Sequence, residues 1–223
     1  MAGAVRSTTV NRVSEMTHLV GIKQGLTPQL TGFDPVTGPI YDPHAPPVRY
    51  VDNLRTAFVV VEAYASRGIW IILNDIATIH FARWVILPGD QQLLFTSNFD
   101  GSWEQYIHDF VTIANSGKPS KDNASGAKWM DLIWGNCEAY TGTDDFEAFL
   151  GWIQSLMIET TLFFPTISDV TVRDISWLRQ FRRIFGEFDE AALGVDRSQW
   201  PPGLLTAYDQ MKREINQIDV TDA

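Results

Sequence analysis

A single cysteine, Cys137, occurs among the 223 residues, which excludes an internal disulfide and gives no reason to expect an oxidising compartment. Basic residues are also few: 17 Lys and Arg stand against 27 Asp and Glu, for a formal net charge of -10. This charge argues against nucleic acid and against an anionic membrane surface as partners, because each would need a concentrated basic patch. The N-terminus lacks the apolar core of a signal peptide, so the sequence predicts a cytoplasmic protein.

No apolar run is long enough to suggest a membrane span. The most apolar segment, residues 57–73, is interrupted by Glu62, Arg67 and Gly68, and it falls short of the ~20 apolar residues that a span requires. A buried helix is therefore the better interpretation. Between residues 26 and 49, six prolines and several glycines predict a long loop or lid, and loops of that length are either functional or disordered.

Motifs that would identify a known chemistry are absent. The sequence has no phosphate-binding loop, no Gly-X-Ser-X-Gly nucleophile motif and no dinucleotide fingerprint. Its four histidines show no metal-ligand spacing; they are His18, His44, His80 and His108. Cys137 has no cation beside it, so a buried and inert thiol is predicted.

Two apolar runs separated by a turn stand in the middle of the chain. Residues 78–87 and 92–98 are rich in β-branched and aromatic side chains, and Pro88, Gly89 and Asp90 between them are turn formers. A β-hairpin is therefore predicted.

The elements around the hairpin follow a known order. The short apolar run 18–23 indicates a strand, and a helix is predicted from Asp52 or Asn53 towards Asn74, with Gly68 as an alternative end. After the hairpin, a second helix begins at Ser102 and a last strand is predicted at 132–141. The order strand, helix, strand, strand, helix, strand is that of the ferredoxin-like split βαβ fold, an α+β antiparallel sheet with both helices on one face.

The rest of the chain predicts a helical C-terminal extension, residues 142–223. No repeat or low-complexity linker interrupts the sequence, so residues 1–223 are predicted to form a single domain with a ferredoxin-like core at 16–141. Within the extension, helices are expected after 143–145, at 172–188 and at 204–218, with an added edge strand in 160–170.

Alternation along the strands predicts which side chains occupy the open face of the sheet. Leu93, Phe95, Ser97 and Phe99 are expected to face the helices. If the more apolar set of each other strand does the same, a mixed aromatic and polar group gathers on the open face: His80, Trp84, Asn98, Asp100, Trp134, Asn136, Glu138 and Tyr140. Arg83 is a further candidate for ligand binding.

Such a surface has two interpretations. It can be a pocket whose aromatics surround a small organic ligand, with His80 and Glu138 as an acid/base pair. It can equally be a homodimer interface whose contacts are those same aromatics. Paired open faces can also enclose a cavity, so the two interpretations are compatible.

Three segments carry a resemblance to a known class: HFARWVIL, LLFTSNFDGSWEQYIHDF and LIWGNCEAY. They resemble a group of uncharacterised bacterial proteins whose sheet core is similar to the dimeric α/β barrel class, which includes dye-decolorising peroxidases and chlorite dismutases. Those enzymes bind haem on such a sheet. The peroxidases carry a Gly-X-X-Asp-Gly motif, which residues 97–101 match except that Ser97 replaces the first glycine.

The resemblance implies that Asp100 is an acid/base on peroxide and that haem is a possible cofactor. No histidine follows His108, so a haem would have to be ligated by one of the four histidines at or before that position, which departs from the peroxidase pattern.

Two functional hypotheses result. The first is a small-molecule oxidoreductase of peroxidase-like type, with haem as a candidate cofactor, in which Asp100 and His80 act as acid/base and Trp84, Trp134 and Tyr140 line the pocket. The second is a non-catalytic binding or assembly protein, whose aromatic sheet face is a homo-oligomer or partner interface and whose loop 26–49 contacts a partner.

Overall fold

The computed structural model describes residues 7–34, 37–66, 78–116, 126–192 and 196–217. The chain forms two compact units, Met1–Ser168 and Asp169–Ala223, and each is described by itself. The boundary falls inside the segment that the sequence assigns to a helical extension. The prediction of a single domain stays a prediction.

The first unit is an α+β structure with antiparallel sheets. Its main sheet has the order β1-β2-β8-β7, and β9 pairs with β2 beyond β1 along the same edge. The strands of this sheet are β1 (Thr8–Val10), β2 (Val13–Gly21), β7 (Ile79–Ile86), β8 (Gln92–Asp100) and β9 (Met157–Ile158). The helices of the unit are α1 (Tyr50–Ser66), α2 (Trp103–Ser116), α3 (Gly126–Trp134) and α4 (Phe146–Ser155).

The predicted hairpin is confirmed. β7 and β8 pair along almost their whole length, from Ile86 opposite Leu93 to Ile79 opposite Phe99. The turn places Gly89 at φ 94° and Asp90 at φ 60°, left-handed conformations that glycine and aspartate tolerate better than most residues.

The two predicted helices that flank the hairpin are present. α1 buries Val51, Leu54 and Ala57 in the core, and its predicted continuation to residue 74 lies outside the described residues. α2 begins after Ser102, whose hydroxyl accepts a hydrogen bond from the backbone N–H of Gln105 at 3.2 Å, as a capping residue does.

The predicted strand at 132–141 is wrong. Residues up to Trp134 belong to α3, and of the strand only an isolated bridge between Ile22 and Cys137 exists. A Cβ on Gly135 would lie 2.4 Å from the carbonyl oxygen of Asp131, so only glycine fits where this helix stops. The short apolar run before Gly135 suits a helix end as well as a strand, which is why the sequence misled.

The predicted irregular loop at 26–49 is also wrong in part. It contains two small antiparallel sheets, one of β3 (Leu26–Thr27) with β6 (Val48–Arg49) and one of β4 (Gln29–Asp34) with β5 (Gly38–Asp42). Two-stranded sheets consist of edge strands, where proline removes no essential ladder hydrogen bond.

Two smaller boundaries differ from expectation. The first long strand begins at Val13 and not at His18, and residues 8–10 already pair with it. The edge strand expected in 160–170 is wrong, because no strand lies in that range; the two-residue β9 precedes it. α4 begins as predicted, with the Asp145 carboxylate accepting a hydrogen bond from the Ala148 N–H at 3.0 Å.

The second unit contains α5 (Val172–Ala192), a 3₁₀ turn (Arg197–Gln199) and α6 (Pro202–Asn216). Phe188, Trp200 and Tyr208 pack against one another with ring centroids 5.4–5.6 Å apart. The helices predicted at 172–188 and 204–218 are thus confirmed within the described ranges.

Candidate functional site

Two of the predicted acid/base residues form a pair. Nε2 of His80 lies 2.7 Å from Oδ1 of Asp100, within hydrogen-bond distance. Both side chains are about nine-tenths buried, with 12% and 11% of their surface exposed. The pair lies where β8 ends and β7 begins, at one end of the main sheet.

A β-bulge brings these two side chains together. Ile79 is opposite Phe99 and Phe81 is opposite Asn98, so His80 is the extra residue on β7. Bulges redirect side chains and are frequent beside active sites. The end of β8 is held in place as well, because the backbone N–H of Asp100 donates to the carbonyl of Thr78 at 2.8 Å.

The pair has the arrangement of a base and the group that orients it. A carboxylate accepts hydrogen bonds, so a neutral His80 donates through Nε2–H and keeps its lone pair on Nδ1. Within the described part of the chain, Nδ1 of His80 has no hydrogen-bond partner. An imidazole held in one tautomer by a carboxylate can accept a proton from a substrate at the other nitrogen.

Glu15 is a further member of this end of the sheet, and the sequence analysis missed it. It is only 5% exposed, and its Oε1 has no hydrogen-bond partner in the described residues. Glu15 is directly opposite Asn98, and Asp100 is two residues further along β8 on the same face. If the strand had been predicted to begin at Val13, the alternation of its side chains between the two faces would have made Glu15 a candidate.

Trp84 is not on the open face, and that expectation is wrong. Its ring packs 4.8 Å from Phe95 and 6.4 Å from Phe58 of α1, on the face that the helices cover. The residues of β7 on the open face are Phe81, Arg83 and Val85, which are exposed. Arg83 is opposite Thr96, and Asn98 shares this face as predicted.

Trp134, Asn136 and Tyr140 also do not reach the open face, since the strand that would carry them does not exist. Trp134 is 2% exposed at the end of α3. The Asn136 side chain donates to the carbonyl of Leu132 at 3.0 Å and so caps α3. The Tyr140 hydroxyl donates to Asp131 at 3.0 Å, and burial together with that carboxylate raises the pKa of Tyr140 above its usual range.

The expected pair of His80 with Glu138 does not form. The backbone N–H of Glu138 donates to the carbonyl of Gly21 at 2.8 Å, and Gly21 is opposite Gln92. Gln92 and Asp100 are the two ends of β8, about 27 Å apart at ~3.4 Å per residue. Glu138 is exposed at the far end of the sheet.

The placement of the histidines does not fit a haem. His18 is fully buried, neither ring nitrogen has a partner in the part of the chain that the structure describes, and burial lowers the pKa of its imidazole to about 3. His44 and His108 are exposed, and Nε2 of His80 is hydrogen-bonded to Asp100. The described residues also contain no group of three or more side chains that could hold a metal ion.

Cys137 is buried, as predicted. Burial raises the pKa of its thiol to about 12, which Lys23 only partly opposes. A thiol with so high a pKa supplies no thiolate at neutral pH, so Cys137 is not a nucleophile.

Within the described ranges, no helix has both the length and the apolar character needed to cross a bilayer. Comparison with protein-family models, with curated proteins and with solved structures finds no match for this chain.

Proposed function

We propose that the protein is a small-molecule enzyme that transfers a proton at Nδ1 of His80, with Asp100 holding the imidazole. The observation that carries this proposal is the 2.7 Å contact between Nε2 of His80 and Oδ1 of Asp100. A side chain can act as a general base only if it is held within hydrogen-bond distance of its partners, and this geometry is the first requirement.

Asp100 is a positioning residue in this proposal. Its Oδ1 is bonded to His80, so it fixes the tautomer of the imidazole and stabilises the imidazolium that forms. The narrower form of the proposal is an oxidoreductase of peroxidase-like type, which rests on the resemblance of residues 97–101 to the peroxidase motif. No step is assigned to haem, because the described histidines do not fit one.

We further propose that the sheet is of the ferredoxin-like kind in its three long strands. In support, β8 lies between β2 and β7 and is antiparallel to both, as the middle strand of a split βαβ unit is. The position of the fourth strand is occupied by β1 and β9, which both pair with β2.

A homo-oligomer interface is the second candidate function, and exposed apolar residues on the open sheet face favour it. Phe81 is 73% exposed there, Val85 is exposed on the same strand, and Ile158 is exposed on β9 at the other edge of the sheet. Exposed apolar surface is typical of interaction sites. The interface hypothesis therefore moves from Trp84 and Trp134, which are core residues, to Phe81.

The tautomer of His80 tests the first candidate. Two-bond ¹H–¹⁵N NMR correlations of the histidine rings should show His80 protonated at Nε2 in the wild-type protein, because Asp100 accepts the hydrogen bond from that N–H. Asp100→Asn should remove this preference without changing the Tm, and His44, which is exposed, is the internal control. A wild-type His80 protonated at Nδ1, or a mixture like that of His44, would contradict the proposed base.

An absorption spectrum tests the narrower oxidative form. The protein would be purified from cells supplied with a haem precursor and passed through gel filtration. A Soret band that stays with the protein, together with peroxide-dependent dye oxidation lost in Asp100→Asn, supports a peroxidase. A featureless spectrum removes haem and leaves the cofactor-free proton transfer.

Sedimentation tests the second candidate. Phe81→Asp should dissociate an oligomer that uses the open face, since a charge there would be buried without a partner. Phe164→Asp is the matched control, because Phe164 is 81% exposed in the segment that follows β9 and not on β7. A wild-type monomer, or equal effects of the two substitutions, would argue against this interface.

A further inference from the structure

A small polar pocket lies at the end of the main sheet away from His80. Three segments meet there: residues 23–25 after β2, the start of α1 at 49–51, and the hairpin turn 89–91. Its volume is about 100 Å³. The lining is mainly polar and includes Lys23, Arg49 and Asp90.

The acidic side chains at this pocket are already neutralised. Oδ1 of Asp90 accepts from Arg55 at 2.6 Å and its Oδ2 from Arg49 at 3.5 Å. Both oxygens of Asp52 accept from Arg49, at 2.8 and 2.9 Å. These contacts hold the pKa values of both carboxyls below their usual range, with the hydrogen bonds from arginine as the largest cause. The four side chains therefore balance one another.

Lys23 adds a positive charge that this network does not balance. Its ammonium donates to the carbonyl of Gly135 at 2.8 Å and lies 5.6 Å from the centre of the Tyr50 ring. No carboxylate of the described residues is within ion-pair distance of Lys23. Two of its three N–H donors remain available.

The backbone around the pocket is also rich in donors. Gly25 and Gly89 both have a positive φ, of 97° and 94°, and a Cβ at either would meet open space. Their N–H groups donate to no backbone carbonyl of the described residues. The first turn of α1 contributes its partial positive charge from the same side.

We propose that this pocket binds a compact oxyanion, the phosphate group of a small molecule. The site favours negative charge because it has one unbalanced ammonium, unused guanidinium and backbone donors, and acids that are already paired. It does so on a protein whose net charge is -10. The site is about 27 Å from Asp100 along β8 and does not rest on the proton-transfer proposal.

Titration with inorganic phosphate tests the site directly. Phosphate is added to ¹⁵N-labelled protein at constant ionic strength, with chloride as the compensating anion, and amide shifts are followed. Saturable shifts should concentrate at Gly25, Gly89 and Gln91. Shifts that do not saturate, or that are spread over the surface, would overturn the proposal without any variant.

A matched pair of lysine substitutions adds the second arm. Lys23→Gln should weaken phosphate binding at least tenfold. Lys212→Gln removes the same charge from a lysine that also lies over a tyrosine ring, 5.4 Å from the centre of Tyr208, and should leave binding unchanged. Equal weakening by both would mean that net charge alone attracts phosphate, and no weakening by Lys23→Gln would also refute the site. Since neither lysine touches His80 or Asp100, the outcome is independent of the proposed base.

Discussion

Lowering the pH should destabilise this protein through one residue, His18. Its ring is fully buried on β2, stacks 5.7 Å from Phe95 and is opposite Met157 of β9. Neither nitrogen finds a partner in the described residues, and burial lowers the pKa of the imidazole to about 3 from 6.5. The folded state therefore holds His18 neutral at a pH where the unfolded chain binds a proton.

The size and sign of the effect follow from these two pKa values. Below the unfolded value the unfolded state binds more protons, so the free energy of unfolding falls as the pH falls. Each pH unit between about 6.5 and 3 removes ~1.4 kcal/mol. His18 alone should then remove roughly 2 kcal/mol between pH ~7 and ~5, and roughly 5 kcal/mol in full.

Urea unfolding followed by tryptophan fluorescence, repeated over this pH range, measures the effect. His18→Leu keeps a similar volume and removes both unpaired nitrogens, so it should be more stable than the wild type at neutral pH by about 1 kcal/mol. The difference should widen to about 3 kcal/mol near pH ~5. His44→Leu, at an exposed position, should keep the wild-type dependence on pH. Parallel curves for the wild type and His18→Leu would refute the neutral burial of His18.

Three further substitutions test the structure elsewhere. Glu15→Gln should raise the free energy of unfolding by about 1 kcal/mol in urea, because it removes a charge whose Oε1 has no partner in the described residues; a loss of stability would mean that the carboxylate is paired. Asn53→Ala should lower it by about 3 kcal/mol, since Asn53 bonds the N–H of Leu30 and the carbonyl of Pro28, both at 2.8 Å; an unchanged value would contradict this anchor. Trp134→Ala should lower it by roughly 3–5 kcal/mol by leaving a cavity in the core, whereas an effect only on oligomerisation would return Trp134 to an interface.

Local signals predicted most of the elements. The turn formers at 88–90 fixed the hairpin, Ser102 and Asp145 marked the starts of α2 and α4, and the apolar spacing of 172–188 gave α5. Each of these signals acts within a few residues along the chain, so one sequence is enough to read it. The buried face of β8 was predicted for the same reason, and alternate residues from Leu93 to Phe99 are indeed buried.

The misplaced residues depended on long-range facts. Trp134, Asn136, Glu138 and Tyr140 were placed by a strand that Gly135 prevents, because the close approach of its Cα to the carbonyl of Asp131 is a property of the folded helix end. No count of apolar residues contains that contact. Glu15 was missed because pairing with β1 and β8 extends the strand to Val13 through polar residues.

The sequence analysis misjudged which face of β7 packs against the helices. It counted the apolar residues on each face, and that count does not show where a strand packs. By alternation within 79–87, the side of Phe81 and Val85 has four apolar residues and the side of Trp84 has three, yet Phe81 and Val85 are exposed. The single large ring of Trp84 contacts both Phe95 and Phe58, and such contacts outweigh two smaller side chains.

The sequence placed His80 and Asp100 on one face but did not predict that they pair, and the bulge explains how they meet. Without it, the register of Phe81 opposite Asn98 would put His80 opposite Phe99, on the face of Trp84, and Asp100 would point to the other face. The extra residue on β7 breaks that alternation between Ile79 and Phe81, so His80 can reach Asp100 although Trp84 turns inward. The sequence analysis assigned the two faces of β7 the wrong way round, and this assignment placed His80 and Asp100 on one face. The bulge changes the direction of His80 alone, so that this one residue lies where the sequence analysis expected it. The bulge joins two ionisable side chains, which packing by itself does not require. Such a break in strand regularity is what a functional site would require.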